Sequence, residues 1–113
     1  MRANDDTTRL HHMLDAASKA VEFTTGKTAK DFEQDEMLNL SVVRLIEILG
    51  EAANGVSSEL QKSHPEIPWL ELRGTRNRLI HGYFDIDNDI VWQIATNNLP
   101  ELVSNVEKIL SAL

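Results

Sequence analysis

The chain has 113 residues, 42% hydrophobic and 26% charged, which is the profile of one globular domain with a single modest core. It has no cysteine, and this excludes disulfide scaffolds, cysteine-ligated zinc, iron–sulfur clusters and thiol nucleophiles. Eighteen acidic against eleven basic residues give a net charge of −7, a balance that argues against a broad nucleic-acid-binding surface, yet three of the six arginines (Arg73, Arg76, Arg78) fall within six consecutive positions.

Few β-branched runs, five glycines and three prolines read as an all-α chain, without repeats or low-complexity stretches. The first helix is expected from about Asp6 to Thr25. Asp5, Asp6 and Thr7 offer N-caps, and Leu10, Met13, Leu14, Ala17 and Val21 supply an apolar face that Gly26 ends. Lys27 to Asp31 reads as a polar connection. The second helix is expected to start between Phe32 and Asp35 and to run to about Gly55. Leu38, Val42, Leu45, Leu49 and Ala52 form one apolar stripe, with Val43, Ile46, Ile48 and Ala53 beside it, which suits the central helix of a bundle. Arg44, Glu47 and Glu51 share its polar face at spacings that allow an ion pair.

Ser57 to Ile67 reads as a short helical turn and a loop. Pro68 suits the first position of a third helix, which should end near His81 because Gly82 fits a C-terminal cap. Asp85, Asp87, Asn88 and Asp89 supply turn and N-cap chemistry for a last helix. Its apolar residues run from Ile90 to Leu113, and Pro100 should kink or restart it. The sum is an up-down four-helix bundle with a short extra helical turn and a kinked last helix, in one domain over residues 1–113. Glu47 and Glu51 interrupt the longest apolar stretch, so no membrane span is expected, and the polar N-terminus lacks an apolar signal core. A cytoplasmic location is the expectation.

The segment with chemical potential runs from Leu72 to Asp87. Arg73 to Tyr83 holds three arginines, an asparagine, a histidine and a tyrosine in eleven residues. Steps of four place Arg73, Asn77 and His81 on one helix face, and Arg76 lies about 140° from His81 on an ideal helix. A histidine moves protons near neutral pH, and an arginine clamps phosphate and stabilises charge developing on it. Histidine with arginine, and no carboxylate or cysteine cluster, suits metal-independent RNA cleavage, where the 2′-hydroxyl is the substrate's own nucleophile. The plainer reading of the same residues is a solvated helix end with a capping histidine.

Arg76-x4-His81-x-Tyr83, with Asn77 after the arginine, resembles the signature of HEPN-domain ribonucleases, and in particular that of HepT-like toxins of prokaryotic toxin–antitoxin pairs. Arg44-x2-Glu47-x2-Gly50-Glu51-Ala52 looks like that family's second-helix pattern. Pro65-Glu-Ile-Pro-Trp69 looks like its approach to the motif helix, and Ile86-Asp87 with Val91-Trp92 like the start of its last helix. The resemblance implies an all-α HEPN bundle and a two-fold homodimer whose motif helices meet in one cleft. It implies Arg76 and His81 as the catalytic pair, Asn77 as a polar helper, and endonucleolytic cleavage of RNA without metal or other cofactor. Arg73 and Arg78 are then expected to bind RNA. The implied partner is a small nucleotidyltransferase antitoxin of the MntA type, which transfers AMP to the motif tyrosine, here Tyr83. An adenylyl group there would be bulky and negative, filling the cleft and repelling RNA phosphate. A departure from the family pattern lies just before the arginine, where Thr75, preceded by Gly74, stands in place of an apolar residue, and glycine inside a helix costs about 0.8–1.0 kcal/mol relative to alanine.

Other candidates read more plainly. His11 and His12 point about 100° apart on a helix and make no paired metal site. His64 reads as a loop residue. Asp85, Asp87 and Asp89 lack the spacing and glutamate of an EF-hand. Trp69 and Trp92 read as core or dimer-interface residues. Two further classes compete with the ribonuclease: a catalytically silent HEPN module that binds nucleotide or RNA beside a nucleotidyltransferase, and a purely structural helical dimer.

Overall fold

The computed structural model describes residues 3–79 and 86–113, with side chains described for residues 5–75 and 86–113. Among the described residues the elements are seven α-helices and one π-helical turn: α1 Ala3–Thr24, α2 Ala29–Gln34, α3 Glu36–Asn54, α4 Ser58–Ser63, α5 Trp69–Leu79, α6 Asn88–Gln93, the π segment Ile94–Asn98, and α7 Leu99–Ala112. The four principal elements of the all-α bundle are α1, α3, α5 and the continuous run α6–π–α7. Helix α3 packs between α1 and α5, and α1 closes the core against α7. The core draws Leu10, Met13 and Ala17 from α1, Val42, Ile46 and Leu49 from α3, and Leu99, Leu102 and Val106 from α7. Among the described residues no helix is long and apolar enough to cross a membrane.

The first helix starts at Ala3, earlier than the apolar pattern suggests, and stops as expected: Gly26 takes φ +77°, a left-handed conformation that an L side chain resists. Asp6 differs from its expected role. It lies inside the first turn of α1, buried, and its carboxylate accepts the Ser57 amide at 2.8 Å and the Ser57 hydroxyl at 2.6 Å. Ser57 in turn accepts the Leu60 amide at 3.3 Å as the N-cap of α4. One acidic side chain therefore joins the start of α1 to the start of α4.

The polar connection expected at Lys27 to Asp31 is shorter than that: it ends at Thr28, and a helix, α2, begins at Ala29. Thr28 and Asp31 form a capping box: the Asp31 amide donates to Thr28 Oγ1 at 3.1 Å, and the Thr28 amide donates to Asp31 Oδ2 at 3.0 Å. The backbone hydrogen bond from Thr28, then the one from its hydroxyl, holds the exposed Asp31 carboxyl below its ordinary value of 3.8. Helix α2 buries Phe32 completely, with its ring tilted against Trp92 at a centroid distance of 5.6 Å. The second long helix accordingly starts at Glu36. Asp35 ends α2 and caps α3, its Oδ1 accepting the Leu38 amide at 3.1 Å.

The kink expected from Pro100 takes the form of the π turn. The Leu99 amide reaches Ile94 O, five residues back. Buried residues explain the wider turn. Val91, Ala95 and Leu99 follow at steps of four and would drift round a regular helix, whereas Leu102, Val106 and Ile109 continue at steps of three and four. Pro100 lies just beyond, in the first turn of α7, where the missing amide and the ring's clash with the preceding turn are accommodated. Asp87 is the N-cap of α6, its Oδ1 accepting the Ile90 amide at 3.2 Å, while Asp85 lies outside the described residues.

Candidate active site on the motif helix

Helix α5 begins one residue after Pro68. The Leu72 amide donates to Pro68 O at 3.0 Å, and the Trp69 indole donates to His64 O at 2.9 Å, so the first turn is fixed at two points. Trp69, Leu72 and Thr75 are buried. Thr75 occupies an apolar position because its hydroxyl bonds within the helix, to Glu71 O at 2.7 Å. Outward, Leu70 is 71% exposed, and a Cβ on Gly74, one turn on, would meet nothing within 4 Å among the described residues.

Of the site residues named from sequence, Arg73 is described in full: it is exposed. It borders a recess of about 240 Å³ between α5 and α3, with Glu47 and Glu51 on the facing helix. Glu51 also meets Arg44 at 3.7 Å, two turns apart rather than at a step of three or four, in an exposed pair worth little in water. Arg76, Asn77 and Arg78 lie in α5, but their side chains fall outside the described residues, as do His81 and Tyr83 altogether. The geometry that would join Arg76 to His81 therefore lies outside the described residues.

The opposite flank of α5 has a different character. A groove of about 430 Å³ runs between α5, the π segment and α7, with Leu72, Leu99 and Leu102 along it and the carboxylates of Glu66, Glu71 and Glu101 beside them. No basic residue lines it among the described residues. Phosphate is repelled there. No sequence pattern marks this groove, because its three glutamates come from a loop and two helices and share no spacing.

The remaining candidates settle as structural. His11 and His12 are both exposed. His64 caps α4 and meets Glu66 Oε2 at 3.2 Å. Trp69 and Trp92 pack with the core of the chain itself. Among the described residues no group of three or more histidine, aspartate or glutamate side chains converges as a metal site would.

Comparison with known proteins covers nearly the whole chain. A family model described as Ribonuclease HepT-like matches residues 13–109, from the first helix to the last and across the whole arginine-rich segment. A protein of Methanocaldococcus jannaschii named "Putative RNase MJ1380" is 34% identical over 107 residues, covering 95% of this chain and 98% of its own. A Caldanaerobacter subterraneus protein named "Putative RNase TTE0752" is 36% identical over 101 residues, covering 89% of this chain and 90% of its own. A Thermococcus cleftensis protein named "Probable ribonuclease HepT" is 34% identical over 100 residues, covering 88% of this chain and 91% of its own. No solved structure gives a significant match. An all-helical bundle, a family match that encloses Arg76 to Tyr83, and relatives aligned over nearly their full length agree, and the chain belongs to the HepT-like ribonuclease family.

Proposed function

We propose that this chain is the toxin of a toxin–antitoxin pair, a metal-independent endoribonuclease that acts in the cytoplasm as a homodimer of one HEPN-like domain per chain. The observation that carries the reading is the family match over residues 13–109, because it encloses Arg76-x4-His81-x-Tyr83. Arg76 holds the scissile phosphate and stabilises the charge that develops on it. His81 takes the proton from the 2′-hydroxyl. The 2′ oxygen then bonds to phosphorus, the bond to the 5′ oxygen breaks, and the leaving oxygen receives a proton. Two copies in one cleft supply two imidazoles, one for each proton transfer. Asn77 orients the imidazole or the ligand, and Arg73 and Arg78 bind flanking phosphates. The exposed Arg73 and the acidic opposite flank of α5 favour RNA lying on the arginine side.

Silencing by an MntA-like nucleotidyltransferase follows the same chemistry. The Tyr83 phenol oxygen attacks the α-phosphorus of ATP, pyrophosphate leaves, and the AMP phosphate pairs with the arginines that would otherwise hold RNA.

The test is cleavage of labelled RNA in chelator by unmodified protein, beside His81→Ala. Cleavage that survives chelator and disappears in the variant is the expected result. Its absence from protein confirmed unmodified by mass would leave a silent binding module. Co-expression with the antitoxin should add AMP to the Tyr83 peptide, and an unmodified peptide in a silenced sample would reject that mode of control.

A further inference from the structure

Gly50 lies within α3, where glycine weakens the helix by about 0.8–1.0 kcal/mol relative to alanine. Its own conformation does not require glycine, since its φ is not positive. The reason lies across the interface: a Cβ on Gly50 would sit 2.6 Å from the backbone oxygen of Leu72 in α5. Carbon and carbonyl oxygen pack no closer than about 3.3 Å. The obstacle is main chain, so no rotamer change relieves it.

The carbonyl concerned is itself specific. In an α-helix the oxygen of residue 72 accepts the amide of residue 76, so Leu72 O is the backbone acceptor for Arg76. We propose that Gly50 is a positioning residue for the motif: its lack of a side chain sets how deeply α5 lies against α3, and thereby where Arg76 is presented to the RNA. The proposal rests on Arg76 acting in the cleavage proposed above.

A methyl group at position 50 must push the Leu72 carbonyl away by about 0.7 Å, the shortfall from ordinary contact distance. The start of α5 cannot follow freely, because the Trp69 indole is held on His64 O. A shift of the whole helix moves Arg76 by about 0.7 Å. A tilt about Trp69 magnifies this to about 1.5 Å, because Arg76 lies about twice as far along the axis from Trp69 as Leu72 does. A misplacement of about 1 Å at a reacting group costs on the order of a hundredfold in rate. Phosphate attraction is long-ranged and changes far less over the same shift.

Gly50→Ala should therefore lower kcat for RNA cleavage about ten- to a hundredfold and leave KM within about threefold. Gly55→Ala is the control. It lies at the C-cap of the same helix, and the nearest atoms to its Cβ would be those of the exposed Arg9 side chain, which can swing aside. Amide hydrogen exchange at Arg76 gives a readout that does not depend on activity: it should change in Gly50→Ala and stay as wild type in Gly55→Ala. Unchanged kcat, an equal loss in both variants, a loss confined to KM, or unaltered exchange at Arg76 would each overturn the assignment. So would loss of native helix content in Gly50→Ala, since the contact would then hold the fold rather than aim the motif. A wild-type protein that cuts no RNA would reject the proposed function instead, and the exchange measurement would still decide whether Gly50 places Arg76.

Discussion

Replacing Gly74 with alanine separates what α5 requires as a helix from what it requires as a meeting surface. Gly74 is inside the helix, its φ is not positive, and a Cβ there would meet nothing within 4 Å among the described residues. Within one chain the substitution gains helix propensity and encounters nothing, a stabilisation of about 0.8–1.0 kcal/mol. With an unfolding entropy of about 2.1 cal/mol/K per residue, this corresponds to a rise in Tm of about 4 °C for a chain of this length. Leu70, one turn earlier on the same face, is 71% exposed, and we propose this face as the one that meets a second copy in the dimer. There the added methyl should weaken association and slow RNA cleavage. Thermal unfolding by circular dichroism at a series of dilutions, with sedimentation equilibrium on the same samples, reads both effects. The expected pattern is a higher Tm where the protein is monomeric and a larger dissociation constant than wild type. A lower Tm in the dilute sample would refute the open-space argument. Dimerisation and cleavage equal to wild type would remove Gly74 from the contact.

Asp6→Ala removes two hydrogen bonds to a buried carboxylate and leaves the Ser57 amide and hydroxyl without their acceptor at the start of α4, so a loss of about 2–3 kcal/mol is expected in urea unfolding. Ser57→Ala should cost about 1–2 kcal/mol. Because the two residues share the same bonds, the double variant should lose less than the sum, and strict additivity would show that the Asp6–Ser57 pair contributes nothing jointly. Asp31 has a folded pKa below 3.8, so its stabilising contribution is present above that pH and is lost as pH falls through the folded value. An NMR titration of its carboxyl should show a midpoint below 3.8, and Thr28→Ala should bring it closer to 3.8. A midpoint at or above 3.8 in the parent chain would contradict the capping-box geometry.

The long helices were legible because their apolar residues recur with helical period over many turns: Leu10 to Val21 marks α1 and Leu38 to Ala53 marks α3. Helix α2 was not, since six residues make fewer than two turns and give no period to detect. Its signal was present in another form, Thr28 three residues before Asp31, which is capping-box chemistry with aspartate in place of the commoner glutamate. Asp6 misled for the opposite reason: an acidic residue near a helix start reads as a cap for that helix, and only the tertiary fold brings Ser57 to it. The motif was legible as residue types and spacing, and α5 places Arg76 to Arg78 on a helix as expected. The value of Gly50 and Gly74 could not be read, because a glycine's role depends on what stands opposite it, and the two face opposite conditions: main chain at one, open space at the other.

The π turn before Pro100 also bears on how this chain can change in length. A wide turn contains one residue more than a regular helix needs to cover the same advance. Removing one residue from Ile94–Asn98 while replacing Pro100 would let α6 and α7 merge at uniform pitch, with Leu99, Leu102 and Val106 still able to face the core. The same deletion within α3 would rotate every following side chain by about 100° and turn Leu49 and Ala53 out of the core. Single-residue insertions and deletions among descendants of this sequence should therefore collect at the π turn and be absent from the helix beneath the motif.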